Sequence, residues 1–498
     1  MRRGDLILAA MGVLLLAGSA AWTRRHAPTV TDFVIEAGGC RTPASVMEPR
    51  QSPPRGYALV LHGLSANRRV MQPLAGWMTA SGFRIYLVDL PGHGVSTEAY
   101  SFARAENCIT GSALELERRG WIEPQNTVVI GHSMGGAIAV RLADHFPAAA
   151  TVAISPAPMI LPARLPANLL IFSAQFDVPA LKRQAEALAR AQDRAESKDS
   201  SRKQTAAWVT IWHASHSSLI ANRDVKRRTA EWASTAIPGA TRNTFVEPAN
   251  LFPAAALGAL GLALLFPLGA SLCFRLFRIP AVAGQFANPA LAPILWQWPL
   301  AALAGVCVLN YGVPLRFLHL LMDDYLASLL LCVAVILGAL RWNAAWEWLR
   351  GSSVEIIAAA IVGLLALLAA GAWANWQMGE AALNGARAWR MAAMTPLMWP
   401  YFFLEESALG TPEGRRLRRF GAFMGGRLAL WLAALLGVWW LQSGEFMIFF
   451  LAIPLAGFSV LQRLGADALW TRGGGATAAA TFNAILAAGS LAAFLPLK

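Results

Sequence analysis

The stretch VVIGHSMGGA, Val128 to Ala137, decides how the rest of the chain reads. With Thr127 it opens as a β-branched run, which suits a strand. It leads into GGAIAVRLADHF, whose apolar residues recur at helical spacing. Between the two, Gly131-His132-Ser133-Met134-Gly135 fits the pattern G-x-S-x-G. A strand-to-helix turn of that kind strains the backbone and lifts the serine hydroxyl clear of the sheet. The glycines are needed because so tight a turn leaves no room for side chains. The strand before and the helix after supply the context that a bare pattern match lacks.

Strands and helices alternate on either side of this turn. YALVLHG (57–63), RIYLVDL (84–90), ATVAIS (150–155), NLLIFSA (168–174) and AWVTIWH (207–213) read as strands. SALELERRG (112–120) ends a helix at a glycine. Such alternation implies an α/β fold with a mostly parallel sheet and helices on both faces. TDFVIEA (31–37) and PASVMEP (43–49) add a leading antiparallel pair.

A serine hydroxyl is a poor nucleophile without a base, and the base needs an acid to orient it. In this architecture the chain order is Ser, Asp, His. Asp177 stands just past NLLIFSA, and His216 just past AWVTIWH. Ser133, Asp177 and His216 therefore all fall at carboxyl ends of parallel strands, where such sheets place their sites. His213 is the rival base, but it sits on the strand itself. His213 and His216 have a metal-ligand spacing without a third ligand, so no metal is assigned, and no cofactor is called for. An oxyanion hole takes two backbone N–H groups. Met134, directly after the nucleophile, offers one, and Leu64 in HGLSAN offers the other. His62, Gly63, Gly131, His132 and Gly135 read as scaffold for the oxyanion loop and the nucleophile turn.

LVLHGLSAN, LVDLPGHGVS and VIGHSMGGA, taken with Asp177 and His216, resemble the α/β-hydrolase superfamily over about residues 55–235. The branch they resemble holds monoacylglycerol lipases, lysophospholipases and serine-aminopeptidase-like hydrolases. The resemblance implies an α/β-hydrolase fold and an acyl-enzyme later released by water. It makes Asp89 and His93, in DLPGHGVS, scaffold rather than chemistry. Two departures stand out. SPAPMILPARLPA (155–167) leaves room for only a short Pro-rich connection where many members insert a cap, so little or no cap is expected. KRQAEALARAQDRAESKDSSRK (182–203) is a charged insertion between acid and histidine, read as a helix and a loop on the surface.

The composition does not fit a soluble enzyme. The chain has 498 residues, 56% hydrophobic and 14% charged, with a mean hydropathy of +0.45. Soluble domains are about 45–50% apolar and about 25% charged. The composition shifts in NTFVEPANLFP (243–253), dividing a polar part from an apolar one. Three segments follow: a membrane anchor or signal segment over 1–23, a catalytic domain over 24–248, and an all-α polytopic membrane domain over 249–498. Apolar spans in the last are read at 251–274, 290–312, 318–340, 354–376, 391–407, 423–441, 445–462 and 475–497. With Leu6–Trp22 they make nine.

Charge asymmetry orients these spans. If residue 250 lies outside, the inside loops hold Arg275, Arg278, Arg341, Arg350, Arg415, Arg416, Arg418, Arg419, Arg463 and Arg472. The outside loops hold only Arg316, Arg387, Arg390 and Lys498, with the acids Asp323, Asp324, Glu380 and Glu445. Positive charge inside puts the catalytic domain on the extracytoplasmic face of a cell (inner) membrane. The net charge of +13 is thus explained by topology rather than by nucleic-acid binding, for which no basic stripe interleaved with aromatics is present. An oxidising compartment permits a disulfide between Cys40 and Cys108, and two free thiols are the alternative. Glu405 and Glu406, in PYFFLEES, are read as pairing with the RRLRR cluster at 415–419 near the membrane interface. The double acid faintly resembles intramembrane abortive-infection-type proteases, but those need histidines in later spans and none follows His319.

These readings converge on a membrane-anchored serine hydrolase of lipid or other acyl esters, with the bilayer as its neighbour. An acyltransferase using the same residues, a peptidase, and a transporter or scaffold with a non-catalytic domain are the alternatives, because the fold does not fix the bond cut.

Overall fold

A computed structural model describes residues 3–50, 53–198, 206–237, 247–279, 292–312, 317–321, 323–346, 349, 353–377, 383–410, 416–441 and 448–497. The chain forms two compact units. One comprises Trp22–Phe252, Asn375–Glu380 and Pro496–Lys498; the other comprises Met1–Ala21, Pro253–Ala374 and Ala381–Leu495. The first helix, α1 (Arg3–His26), lies mostly in the latter.

The polar unit is built on an eight-stranded sheet. Its elements run β1 (Val30–Ala37), β2 (Cys40–Met47), β3 (Gly56–Leu61), α2 (Gln72–Ala80), β4 (Phe83–Val88), α3 (Phe102–Arg118), β5 (Thr127–His132), α4 (Met134–Arg141), β6 (Ala150–Ile154), β7 (Leu169–Ala174), α5 (Pro179–Lys198), β8 (Ala206–Ile211) and α6 (Arg223–Ala236). The spatial order is β1-β2-β4-β3-β5-β6-β7-β8. β2 pairs antiparallel with both β1 and β4, and every other pairing is parallel. Residues 155–168 join β6 to β7 without helix or strand, so no cap is inserted there.

The strands are apolar on both faces because helices cover both. Successive residues of β3 feed opposite cores. Val60 packs with Val128, Ile130, Leu74 of α2 and Val225 of α6, while Leu59 packs with Val129, Ile109 of α3 and Ile138 of α4. The register then aligns the strand ends. Leu61 faces Gly131, His132 faces Ile154, Ile154 faces Phe172, and Ala174 faces Ile211. The loops that follow β3, β5, β6, β7 and β8 therefore leave the sheet along one edge. Cys40, at the start of β2, is disulfide-bonded to Cys108 in α3, with Cα atoms 5.5 Å apart.

The apolar unit consists of α1 with α7 (Phe252–Leu276), α8 (Ala292–Tyr311), α9 (Asp323–Trp346), α10 (Ser353–Gln377), α11 (Gly385–Leu409), α12 (Arg416–Trp440), α13 (Ile448–Trp470) and α14 (Ala476–Phe494). Among the described residues, six helices are long and apolar enough to cross a membrane: α1, α7, α8, α10, α12 and α14. α9 contributes a shorter apolar stretch, Tyr325–Arg341. α1 packs on α7 where glycine meets glycine: a Cβ on Gly12 would lie 2.7 Å from the Gly261 carbonyl oxygen. Near its start Asp5 is ion-paired with Arg472 at 2.9 Å.

α11 departs from the sequence reading in two ways. Arg387 and Arg390 were expected in an outside loop, but both lie within the helix and are buried. The reason is local: Arg387 donates to the carbonyls of Ala492 and Leu495 at 2.7 Å each, capping the open end of α14. Glu405 and Glu406 were expected to meet the arginine cluster at an interface. They are instead buried among α12, α13 and α14. Glu405 accepts two hydrogen bonds from Arg427, each 2.7 Å. Glu406 accepts from Arg463 at 2.8 and 3.1 Å, from Trp470 Nε1 at 2.9 Å and from Asn483 at 3.1 Å. Of the cluster, Arg419 approaches Glu406, at 3.5 Å.

Candidate active site

Ser133 occupies the turn between β5 and α4 with φ +53° and ψ −116°. A non-glycine residue in that region is strained and must be held there by its surroundings. Its N–H donates to Ile154 O at 2.8 Å, and its carbonyl accepts from Ala157 at 2.9 Å and Ala137 at 3.1 Å. A Cβ on Gly131 would lie 2.0 Å from Gly135 O, and one on Gly135 would lie 2.5 Å from His62 O. The two glycines thus let the turn close on itself and on the end of β3. Gly63 presses against the same turn: a Cβ there would lie 3.1 Å from Ser133 Cβ. Ser133 itself is only partly buried, so its hydroxyl can be approached. Met134 directly follows Ser133 and Leu64 directly follows Gly63, and neither backbone N–H has an acceptor among the described residues.

Asp177 and His216 come together on the same edge. His216 Nδ1 lies 2.9 Å from Asp177 Oδ1. Asp177 Oδ2 accepts from the Ala174 N–H at 2.8 Å. The loops carrying the two residues are tied by Gln175 N to Ile211 O at 3.0 Å and Phe176 N to Ala214 O at 3.0 Å. These bonds continue the β7–β8 pairing past the strand ends. Burial raises the Asp177 pKa, but hydrogen bonds from His216, Ala174 N–H and Ser155 outweigh it and hold the carboxyl below its ordinary range. His213 is exposed, and it is His216 that the fold brings to the acid.

His132 links the nucleophile turn to the base. Its Nε2 lies 3.1 Å from the His216 carbonyl, and the two rings are 4.7 Å apart. Burial, with His216 close by, lowers the His132 pKa to about 3, so the ring is neutral and Nε2–H donates. His62 is a second buried neutral histidine, lowered to about 4 by burial. Its Nε2 accepts from Leu90 N–H at 3.0 Å and its Nδ1 meets Gly63 O at 2.7 Å, which fixes the loop after β3. Asp89 accepts from the N–H groups of Arg68 at 2.8 Å and Val95 at 3.1 Å and is paired with the Arg68 guanidinium. His93 contacts Pro91 O at 2.7 Å. Both brace the loop after β4.

One residue at this edge escaped the sequence reading. Ser155, directly after β6, has its Oγ 2.8 Å from Asp177 Oδ2 and 2.9 Å from His216 Nδ1. The signal was available, because β6 lies between β5 and β7 and its end must fall between nucleophile and acid. A cavity of about 230 Å³ lies elsewhere, among Ala143, Ala148, Thr151 and Arg164 at the amino ends of β6 and β7, and takes no part in this constellation.

The sequence carries relatives of this arrangement. Residues 58–257 match the alpha/beta hydrolase family. The chain is 37% identical to a pimeloyl-(acyl-carrier protein) methyl ester esterase of Nitrosospira multiformis over 87 residues, 15% of this chain and 33% of that protein. It is 34% identical to the magnesium-chelatase 30 kDa subunit of Rhodobacter capsulatus over 140 residues, 28% of this chain and 43% of that protein. It is 32% identical to a thermostable monoacylglycerol lipase of a Bacillus species over 91 residues, 18% of this chain and 35% of that protein. The chain thus spans between 33% and 43% of the length of these relatives. On its sequence match and its sheet, the segment 58–257 belongs to the alpha/beta hydrolase family.

Proposed function

We propose that the protein is a membrane-anchored serine hydrolase that cleaves acyl esters through Ser133, His216 and Asp177. The observation that carries this reading is the 2.9 Å His216–Asp177 pair beside a serine held in a strained turn. In the proposed reaction Ser133 Oγ attacks the ester carbonyl carbon and His216 Nε2 takes the hydroxyl proton. The oxyanion is met by the N–H groups of Leu64 and Met134. The C–O bond to the alcohol then breaks, and His216 returns the proton to the leaving oxygen. Water, deprotonated by the same ring, then attacks the acyl carbon; the bond to Ser133 Oγ breaks, the acid leaves, and the ring returns the proton to Ser133 Oγ. Asp177 keeps Nδ1–H facing itself and balances the imidazolium.

The apolar rim of the site favours an ester with an acyl chain. Phe176 and Trp212, in the loops after β7 and β8 that carry Asp177 and His216, are 64% and 69% exposed. Apolar residues so placed suit a substrate drawn from lipid. The chain's own apolar helices keep it at such a surface, and the glycine-to-glycine packing of α1 on α7 supports an anchor that stays. The Cys40–Cys108 disulfide supports placing this unit in an oxidising, extracytoplasmic compartment.

The test uses full-length protein in lipid nanodiscs with monoacylglycerol or lysophospholipid. Wild type is expected to release free fatty acid, and Ser133→Ala is not. Acyl transfer to a second lipid without free acid would move the reading to an acyltransferase. A protein that consumes neither lipids nor p-nitrophenyl esters would overturn it. Phe176→Ala with Trp212→Ala is expected to raise KM for long-chain esters while sparing turnover of a short soluble ester.

A further inference from the structure

We infer that Ser155 is a positioning residue of the site, fixing the Asp177 carboxylate and the His216 ring to each other; the inference rests on the proposed Ser133–His216–Asp177 reading. The Ser155 hydroxyl carries one proton. Asp177 Oδ2, at 2.8 Å, can only accept that proton, because the carboxylate is ionised. The hydroxyl oxygen therefore turns a lone pair toward His216 Nδ1, at 2.9 Å. The Nδ1–H is shared between this oxygen and Asp177 Oδ1, also at 2.9 Å. Serine, acid and ring close a three-membered cycle in which each hydrogen bond sets the direction of the next.

The consequence is chemical as well as geometric. When His216 Nε2 takes the Ser133 proton, positive charge appears across the ring. Two oxygens then face it at Nδ1 instead of one. The Ser155 and Ala174 donors also hold Asp177 Oδ2, so the carboxylate cannot rotate away from the ring.

The backbone shows that this placement is imposed. Ser155 is buried and has φ +45°, a left-handed conformation that favours glycine. Its N–H continues the β6–β7 ladder by donating to Phe172 O at 2.8 Å. A residue needed only to turn the chain there would serve better as glycine. The side chain that stands in its place points its one polar atom at the acid and the base.

Ser155→Gly and Ser155→Ala separate the two roles. Glycine removes the hydroxyl and relieves the backbone; alanine removes the hydroxyl and keeps the strain. Full-length variants in nanodiscs are assayed with p-nitrophenyl butyrate, with turnover expressed per site labelled to completion by a fluorophosphonate. Both variants are expected to lose on the order of 10- to 100-fold in kcat, the size of a hydrogen bond to a charged group, with KM within about twofold. Ser155→Gly is expected to unfold at a higher temperature than Ser155→Ala and yet be no more active. Activity that follows stability, with Ser155→Gly near wild type, would overturn the inference, as would an unchanged kcat in either variant. If the alanine variant fails to fold, the glycine variant alone decides. Turnover persisting in Ser133→Ala would instead defeat the underlying reading, whatever the Ser155 variants do.

Discussion

Lowering the pH from 7 to 5 should destabilise the polar unit by about 4 kcal/mol, because two buried histidines cannot accept the protons that their unfolded forms bind. Burial holds His62 at about 4, and burial with His216 nearby holds His132 at about 3. An unfolded histidine titrates near 6.5. Between these values the unfolded chain carries a proton that the folded one refuses, so stability falls as pH falls. Each pH unit below about 6.5 costs about 1.4 kcal/mol per histidine, hence about 2 kcal/mol each at pH 5. Above 6.5 neither ring contributes in either direction. Asp177 has the same sign in a lower window: its lowered carboxyl stabilises the fold above the unfolded value near 4, and that contribution is lost as pH falls from there through its folded value. Hydrogen exchange of β3 and β5 in the nanodisc-held protein, corrected for the intrinsic pH dependence of exchange, reads this directly. Protection should drop by on the order of a thousandfold from pH 7 to 5. In His132→Gln the slope should fall to that of one histidine. Equal protection at both pH values, or an unchanged slope in His132→Gln, would refute the reasoning.

Three further outcomes follow from the packing. Cys40→Ser with Cys108→Ser opens a closure of 68 residues and should cost about 2–4 kcal/mol, seen as a lower thermal midpoint that reductant reproduces in wild type and not in the variant. Glu406→Ala takes from buried Arg463 one of its two acids, leaving Asp467 at 2.8 Å, and should destabilise the apolar unit by less than the about 3–5 kcal/mol of a buried cation left wholly unpaired, whereas Glu406→Leu with Arg463→Met should recover most of the loss; thermal unfolding in detergent separates the two. Gly131→Ala would push a Cβ into Gly135 O and should abolish fluorophosphonate labelling even where the protein still inserts in the membrane.

The strands and the turn were legible because each carries a local signal. β5 is a β-branched run stopped by glycine, and Asp177 and His216 each stand just past such a run. The unbroken apolar runs of β3 and β5 suit a sheet covered on both faces. Ser155 was missed because SPAPM after β6 looks like an ordinary loop; its meaning depends on the lateral order β5-β6-β7, which no single segment encodes. The buried arginines of α11 were misread for a related reason. Loop arginines and helix-capping arginines look alike in sequence, and only the meeting of α11 with the end of α14 assigns Arg387 to the carbonyls there. Glu406 likewise takes its two-pronged partner from α13, 57 residues away, with Arg419 of the nearby cluster a second cation at 3.5 Å.

The central claim is that Ser133 is an activated nucleophile facing the extracytoplasmic side. A membrane-impermeant fluorophosphonate applied to cells stripped of any outer envelope tests both halves of it at once. The account predicts labelling of the wild type and none of Ser133→Ala at equal abundance. Labelling only after lysis would keep the nucleophile and reverse the topology. Folded wild-type protein that stays unlabelled in both intact and lysed cells would contradict the account.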